Sequence, residues 1–456
     1  MDKRKISIAG FGRTGKALLY FLLDDPSVSE IIIFDDKTVE LTEFRDRTGI
    51  KKLELVSGNE GINKMGGSDL IIFSPGVNGR DERFQSLRTA GIRMISEMEF
   101  ASFFTGSAII AVTGTNGKST TVSLIHHILK RSGINSFLAG NIGTPLISEV
   151  KEIDKNSIVV LEVSSFQLEE IEKFKPEVTL ILNVTPDHLD RYPDISDYID
   201  AKLNILKNLT PDDPVILNYD DPFLRDKFYN TNEGNFRKVW FSLEQKEFEE
   251  GAWSDGNKVF INTLRSEETI ELEGNPLIGS HNLENILASL LAVSIAGISL
   301  KNFPGALQSF RGLPHRMEVC GEKDGVRFIN DSKATNVEAT VKSIKGIDGN
   351  IALILGGKDK GGNFTLIKDY IGKKIKRIIL IGEAADTISA ALNSDKKFIT
   401  RADALDEALG KGFEVLAGSG GTVLLAPGCA SFDMFSNYEE RGNIFKSEVE
   451  KFIKGK

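Results

Sequence analysis

The apolar run AIIAV (108–112) leads into Thr113-Gly114-Thr115-Asn116-Gly117-Lys118-Ser119-Thr120, and the following TVSLIHHILKR has helical spacing. A strand, a glycine turn and a helix start are what a triphosphate requires. Gly114 and Gly117 let backbone N–H groups close on phosphate oxygens, and the helix N-terminus adds its dipole. Lys118 can reach the β- and γ-phosphates, and the Ser119 hydroxyl can ligate Mg²⁺. The eight-residue Walker pattern begins with glycine, whereas this chain has Val112 there. The loop is therefore a variant that keeps the GK[ST] end, and its predicted chemistry is phosphoryl transfer from ATP.

Phosphoryl transfer needs a divalent metal, and carboxylates at neighbouring strand ends are its natural ligands. Glu162 ends the run IVVLEVSS (158–165). A charge in an apolar run is costly unless it is paired or bound to metal; the competing reading is an edge-strand glutamate facing water. His188 follows VTLILNVT within TPDHLD, flanked by Asp187 and Asp190, and reads either as a ligand or as a surface-loop histidine. Lys202, in SDYIDAKLNIL, reads by itself as a solvated helix lysine.

A second glycine pattern, Gly10-Phe11-Gly12-Arg13-Thr14-Gly15, follows the strand ISIAG, and Asp35 and Asp36 end the next strand. This is a diphosphate-binding form, compatible with a nicotinamide dinucleotide or with any other nucleotide diphosphate carrier. SPGVNG (74–79) ends the third strand of the same sheet and is expected to line the same crevice. Three further stretches mix small residues, charges and turn formers: GLPHRMEV (312–319), NDSKATN (330–336) and APGCASFDMFSNYEERG (426–442). Their cations Arg316, Lys333 and Arg441, with Lys360, suit an anionic substrate or phosphate; the alternative is scattered surface charge.

These motifs need scaffolds to hold them. Three segments repeat short apolar runs that end in Gly- or Asp-rich turns before helical stretches. Runs of this length suit strands buried on both faces with helical crossovers, so the fold class is α/β with parallel sheets. The expected domains are 1–106, 107–312 and 313–456. The first and last are Rossmann-like, and the middle one is P-loop ATPase-like. Residues 230–275 carry short runs between polar turns and predict a small antiparallel sheet on the middle domain.

Composition sets outer bounds. At 456 residues the chain exceeds a single core. A net charge of -9 argues against nucleic acid as a partner. No window holds ~18 apolar residues, so no membrane helix is expected. The N-terminal residues read as a strand and a glycine turn rather than as a signal segment. The two cysteines, Cys320 and Cys429, suit a reducing compartment and hence the cytoplasm.

Taken together, GTNGKST, GNIG (140–143), LEVSSFQLE (161–169), NVTPDHLDRY (183–192), GLPHRMEV, NDSKATN and CASFDMFSNYEERG resemble the Mur ligases of peptidoglycan synthesis along essentially the whole chain. The resemblance implies three α/β domains: one for UDP, one for ATP, and a C-terminal one that closes on them. It implies ATP-driven addition of D-glutamate to UDP-MurNAc-L-Ala through an acyl phosphate, with two Mg²⁺ ions and a monomeric protein. A sibling ligase of the family, a folylpolyglutamate synthase-like amide ligase, an oxidoreductase and a non-catalytic ATP module are the alternatives.

Residue by residue, the resemblance implies that Lys118, His188 and Lys202 are catalytic. It assigns Gly114, Thr115, Asn116, Gly117, Lys118, Ser119, Thr120, Asn282, Asn285, Arg316 and Asp331 to ATP. Ser119, Glu162, His188 and a carbamylated Lys202 serve the metals. Gly12, Arg13, Thr14, Gly15, Asp35, Asp36, Ser74, Pro75, Gly76, Asn78 and Asn141 serve the UDP substrate. Lys333, Thr335, Lys360, Ser431, Phe432 and Tyr438 surround D-glutamate.

Overall fold

The structure is a computed structural model. It describes every residue except 1, 2, 38, 40, 42, 43, 45–51, 188–190, 232, 276, 278, 311, 393–396 and 456. Two compact units form: Met1–Glu273 with Glu284–Leu307, and Gly274–Leu283 with Gln308–Lys456.

The first unit holds two sheets. One comprises β1 (Arg4–Ala9), β2 (Val28–Phe34), β3 (Lys52–Val56), β4 (Leu70–Phe73) and β5 (Arg93–Ser96), in the order β3-β2-β1-β4-β5. All its pairings are parallel. Ile31 and Ile33 enter one core cluster while Ile32 and Phe34 enter another. Successive side chains of a strand point to opposite faces, so this division means that both faces are covered. That is why the run IIIF carries no polar alternation. The order reverses beside β1, and the crevice above such a switch point is where α/β sheets bind ligands.

The other sheet has nine strands: β6 (Ala108–Thr113), β7 (Ser136–Gly140), β8 (Ile158–Glu162), β9 (Val178–Ile181), β10 (Pro214–Asn218), β11 (Arg237–Ser242), β12 (Gly251–Ser254), β13 (Lys258–Asn262) and β14 (Glu267–Glu271). Their order is β14-β13-β12-β11-β10-β9-β6-β8-β7. β6 lies between β9 and β8, both parallel to it. The expectation for residues 230–275 needs correction. β12, β13 and β14 pair antiparallel, but β11 pairs parallel with β10 and β12, and all four continue the main sheet. The polar turns signalled hairpins correctly. They could not show that the edge of β10 was open for β11 to extend.

Two buried glutamates of the helix Glu97–Ser102 tie the two sheets of this unit together. Glu97 accepts the Ile147 N–H at 2.8 Å, and Glu99 accepts those of Lys173 and Phe174 at 2.9 and 2.8 Å. Backbone groups that would otherwise be orphaned in the interface are thereby satisfied.

The second unit holds β15 (Glu318–Lys323), β16 (Val326–Asn330), β17 (Ile351–Gly356), β18 (Ile375–Ile381), β19 (Ile399–Arg401) and β20 (Gly421–Leu425), ordered β15-β16-β20-β17-β18-β19. Among the described residues only β15 pairs antiparallel. Leu353 and Leu355 face one core and Ala352 and Ile354 the other. The loops after β16, β17 and β20 therefore emerge at one end of the sheet. Among the described residues no helix is long and apolar enough to cross a membrane.

Candidate active site

β6 delivers the phosphate loop. Val112 is still strand, fully buried and paired with Glu162, and the turn begins at Gly114, whose φ is 145°. Gly117, at φ 87°, precedes the helix Lys118–Arg131. A side chain there would be strained in this left-handed region, and its Cβ would lie 2.4 Å from Asn285 Oδ1. Asn285 also accepts the Thr121 hydroxyl at 3.2 Å, so it buttresses the loop from behind. Lys118 folds back and donates Nζ to the carbonyls of Gly114 and Thr115 at 2.7 and 2.9 Å, which holds its ammonium over the loop. Ser119 and Thr120 follow Lys118 in the first turn of the helix and are buried.

Two residues that the sequence reading did not single out complete the loop. Asn183, just past β9, accepts the Asn116 N–H at 2.8 Å and donates to the Asn116 carbonyl at 3.1 Å. Tyr198 meets the Thr115 hydroxyl at 3.0 Å. Asn183 carried a usable signal, being a polar residue at a strand end. Tyr198 carried none beyond its helical spacing from Lys202.

Glu162 ends β8, an interior strand, so the edge-strand alternative fails. The residue is 2% exposed. One carboxylate oxygen accepts from Asn141 Nδ2 at 2.7 Å. The other is buried with no hydrogen-bond partner among the described residues. A buried carboxylate oxygen left over beside a phosphate loop fits a hard divalent cation. His188 and Asp190 lie outside the described residues.

Lys202 is not a solvated helix lysine. It is 1% exposed, its Nζ lies 4.7 Å from the centre of the Tyr198 ring, and among the described residues it makes no hydrogen bond or ion pair. Burial first, and then repulsion from Lys118, push its pKa well below the usual lysine value, with Asp187 opposing. Burial therefore disfavours the ammonium form relative to the neutral amine.

At the β1–β4 switch point, the first glycine turn and SPGVNG meet. The Ser74 hydroxyl donates to the Gly10 carbonyl at 2.8 Å, and a Cβ on Gly10 would lie 2.6 Å from Val77. Gly12 precedes the helix that starts with Arg13, Thr14 and Gly15, and space is open beside Gly12 and Gly76. Asp35 accepts the N–H groups of Phe11 and Lys37 at 2.7 and 2.9 Å, and Asp36 pairs with Arg83 at 2.8 Å. Asp35 thus organises the turn itself and Asp36 is held by Arg83, which weakens the nicotinamide reading, where an acid must hold a ribose. Asn78 accepts the Arg80 N–H at 3.1 Å and closes the second turn.

In the second unit, Arg316 lies just before β15, Asp331, Lys333 and Thr335 follow β16, Ser431 follows β20, and Tyr438 opens the helix Tyr438–Lys454. Lys333 Nζ lies 3.9 Å from the centre of the Tyr438 ring. Asp331 accepts from Met317 N at 3.2 Å and from the Ser343 hydroxyl, and burial raises its pKa. His315 and Met317, at φ 65° and 45°, bend the GLPHRMEV turn through strained backbone, a common mark of a functional loop. Lys360 and Phe432 are exposed, Phe432 at 67%. Asn282 is buried in the helix Ser280–Ile295.

Arg441 requires a correction. It is fully buried, and its guanidinium donates to Ser332 Oγ and to the carbonyls of Ser332, Cys429 and Ala430 at 2.9–3.4 Å. Its charge staples the loops after β16 and β20 together instead of facing a ligand. Burial raises the Cys429 thiol to about 12, so that thiol is inert.

Comparison with known proteins places these sites in context. A family profile described as the Mur ligase middle domain matches residues 112–293, and one described as Mur ligase, glutamate ligase domain matches residues 315–429. The UDP-N-acetylmuramoylalanine–D-glutamate ligase of Alkaliphilus metalliredigens is 38% identical, covering 98% of each chain. Its counterpart in Pelotomaculum thermopropionicum is also 38% identical, over 99% of each. Among solved structures, the pseudomurein peptide ligase type C of Methanothermus fervidus superposes with a TM-score of 0.59 at 20% identity, over 99% of this chain and 100% of that one. The MurF ligase of Thermotoga maritima, in complex with ADP, gives 0.58 at 19% identity, over 93% and 96%. At such identities the likeness is one of fold.

Proposed function

The chain belongs to the Mur ligase family, and on that premise we propose that it joins D-glutamate to UDP-N-acetylmuramoyl-L-alanine at the expense of ATP, in peptidoglycan precursor synthesis. The choice of amino acid is supported by end-to-end relatedness to ligases that carry that name. The chemistry is supported by one observation above the others: a buried carboxylate oxygen of Glu162 with no hydrogen-bond partner among the described residues, on the strand next to the Lys118 loop.

In this reading residues 1–106 hold the UDP substrate, 107–312 hold ATP, and 313–456 supply the D-glutamate loops and close. The L-alanyl carboxylate attacks the γ-phosphorus to give an acyl phosphate and ADP. The D-glutamate amine then adds to the acyl carbon, and phosphate leaves as the amide forms. Two anions must meet in the first step, and unit charges 4 Å apart repel by about 4 kcal/mol at an effective dielectric near 20. Lys118 offsets part of that repulsion and follows the charge as it develops on the transferred group. Ser119 and Glu162 would hold one Mg²⁺, and His188 with a carbamylated Lys202 a second, and these ions would supply the remaining neutralisation. The neutral amine of Lys202 is the form that adds CO2, forming an N–C bond and releasing one proton. Asn141 orients Glu162 and faces the acid substrate. Lys333, Thr335, Lys360, Ser431, Phe432 and Tyr438 receive D-glutamate, and Asn282, Asn285, Arg316 and Asp331 receive the nucleotide. The enzyme works as a cytoplasmic monomer.

The test is phosphate release by purified protein with UDP-MurNAc-L-Ala, ATP and Mg²⁺. Release must depend on D-glutamate. Equal release with meso-diaminopimelate or L-alanine rejects this choice of substrate.

A further inference from the structure

We infer that Arg191 is a positioning residue: it fixes the crevice turn 74–79 to the segments beside the phosphate loop, and so sets where the UDP-linked acid meets the γ-phosphate. This rests on the ligase reading above. The side chain joins three pieces of chain. Its Nη1 donates to the Pro75 carbonyl at 3.4 Å, and its Nη2 donates to the Val77 carbonyl at 3.2 Å and to Glu169 Oε2 at 2.7 Å. The guanidinium lies 3.9 Å from the centre of the Phe166 ring. Arg191 is 13% exposed at its side chain and Glu169 only 2%.

Each contact has a separate origin in the fold. Pro75 and Val77 belong to the turn after β4, whose Ser74 already grips Gly10 across the switch point. Phe166 and Glu169 follow β8, the strand that ends in Glu162. Arg191 follows β9 and closes the stretch that carries His188. A second pair pins the far end of the same turn: Arg88 bonds the Gly79 carbonyl at 2.7 Å and the Glu170 carboxylate at 3.3 Å. Two consecutive glutamates thus hold one turn at both ends, each through an arginine fork.

A buried ion pair of this kind contributes little net stability but fixes registry well. The fork is essential, because one lysine nitrogen cannot span two carbonyls and a carboxylate in a plane. Loss of the fork frees the turn to slide while Glu169 keeps a counter-charge. Reactant misplacement of about 1 Å costs on the order of a hundredfold in rate. The effect must fall on the substrate held by the turn and spare the nucleotide held by Lys118.

Arg191→Lys separates these cases. KM for UDP-MurNAc-L-Ala should rise about tenfold or more and kcat should fall, while KM for ATP stays within about twofold. Glu169→Gln, which leaves the fork and both carbonyls in place, should shift the same KM in the same direction by less, and it carries the test alone if the lysine variant does not fold. A parallel rise in both KM values marks a merely structural residue and overturns the inference, as does an unchanged profile. Wild-type protein that fails to bind UDP-MurNAc-L-Ala in a calorimetric titration overturns the ligase reading instead.

Discussion

Gly117→Ala strains the phosphate loop at a single atom, and its cost can be worked from the geometry. The residue sits at φ 87°, where an L-side chain costs about 1–2 kcal/mol. The new Cβ lies 2.4 Å from Asn285 Oδ1 and 3.3 Å from Leu182 Cδ1. Asn285 is 5% exposed and its oxygen accepts the Thr121 hydroxyl, so it cannot swing aside without losing that bond, a further loss of roughly 1 kcal/mol. The sum is about 2–3 kcal/mol. An empty loop can relax away from the strained shape, but a loop closed on phosphate cannot. The cost therefore appears in nucleotide affinity, as a loss of about 30- to 150-fold at about 1.4 kcal/mol per factor of ten. Calorimetric titration with Mg–ADP measures it, alongside a melt to show that the fold is kept. Affinity within about twofold of wild type would refute the argument, because it would mean that the loop binds phosphate in some other conformation.

Lys118→Ala should lower turnover by at least about a hundredfold with the fold intact, since it removes the cation at the transferred phosphate; steady-state phosphate release checks it. Lys202→Met should abolish turnover and yet, in CO2-free buffer where Lys202 is uncarbamylated, raise the melting temperature. The folded pKa of Lys202 is depressed, so below the ordinary lysine value the unfolded chain takes a proton that the folded chain refuses, and the side chain opposes folding at neutral pH. A lower melting temperature with activity retained contradicts both halves. Lys202→Ala should regain part of its turnover with added short-chain carboxylic acids standing in for the carbamate. Glu97 is raised from 4.5 to about 7 by burial, so its contribution to stability is full below pH 4.5 and is lost as pH rises through 7. Glu97→Gln keeps the bond to Ile147 and should remove that decline, at most about 3 kcal/mol, seen as a flatter urea midpoint between pH 5 and pH 8.

Much of the scaffold was legible because buried parallel strands announce themselves. ISIAG, AIIAVTG and IALILGG are continuous apolar runs because both of their faces are covered, and the turn that follows each needs glycine at positive φ, as at Gly10, Gly114 and Gly356. Local backbone geometry writes such features into adjacent residues, so the phosphate loop and the first glycine turn could be located from the sequence alone.

What the sequence left open depended on which groups the fold brings together. Arg316 and Arg441 look alike as charges near a turn, yet Arg441 is consumed by the carbonyls of Ser332, Cys429 and Ala430. Asp35 matches a ribose-binding acid in spacing, but its oxygens close on Phe11 and Lys37. Lys202 looks solvated on a helix until Tyr198 and the phosphate loop pack over it. A side chain's type and spacing are local properties and can be read from neighbours. Burial and partnership, which decide whether a charge is a ligand, a staple or a disfavoured ammonium, arise only when separate segments fold together.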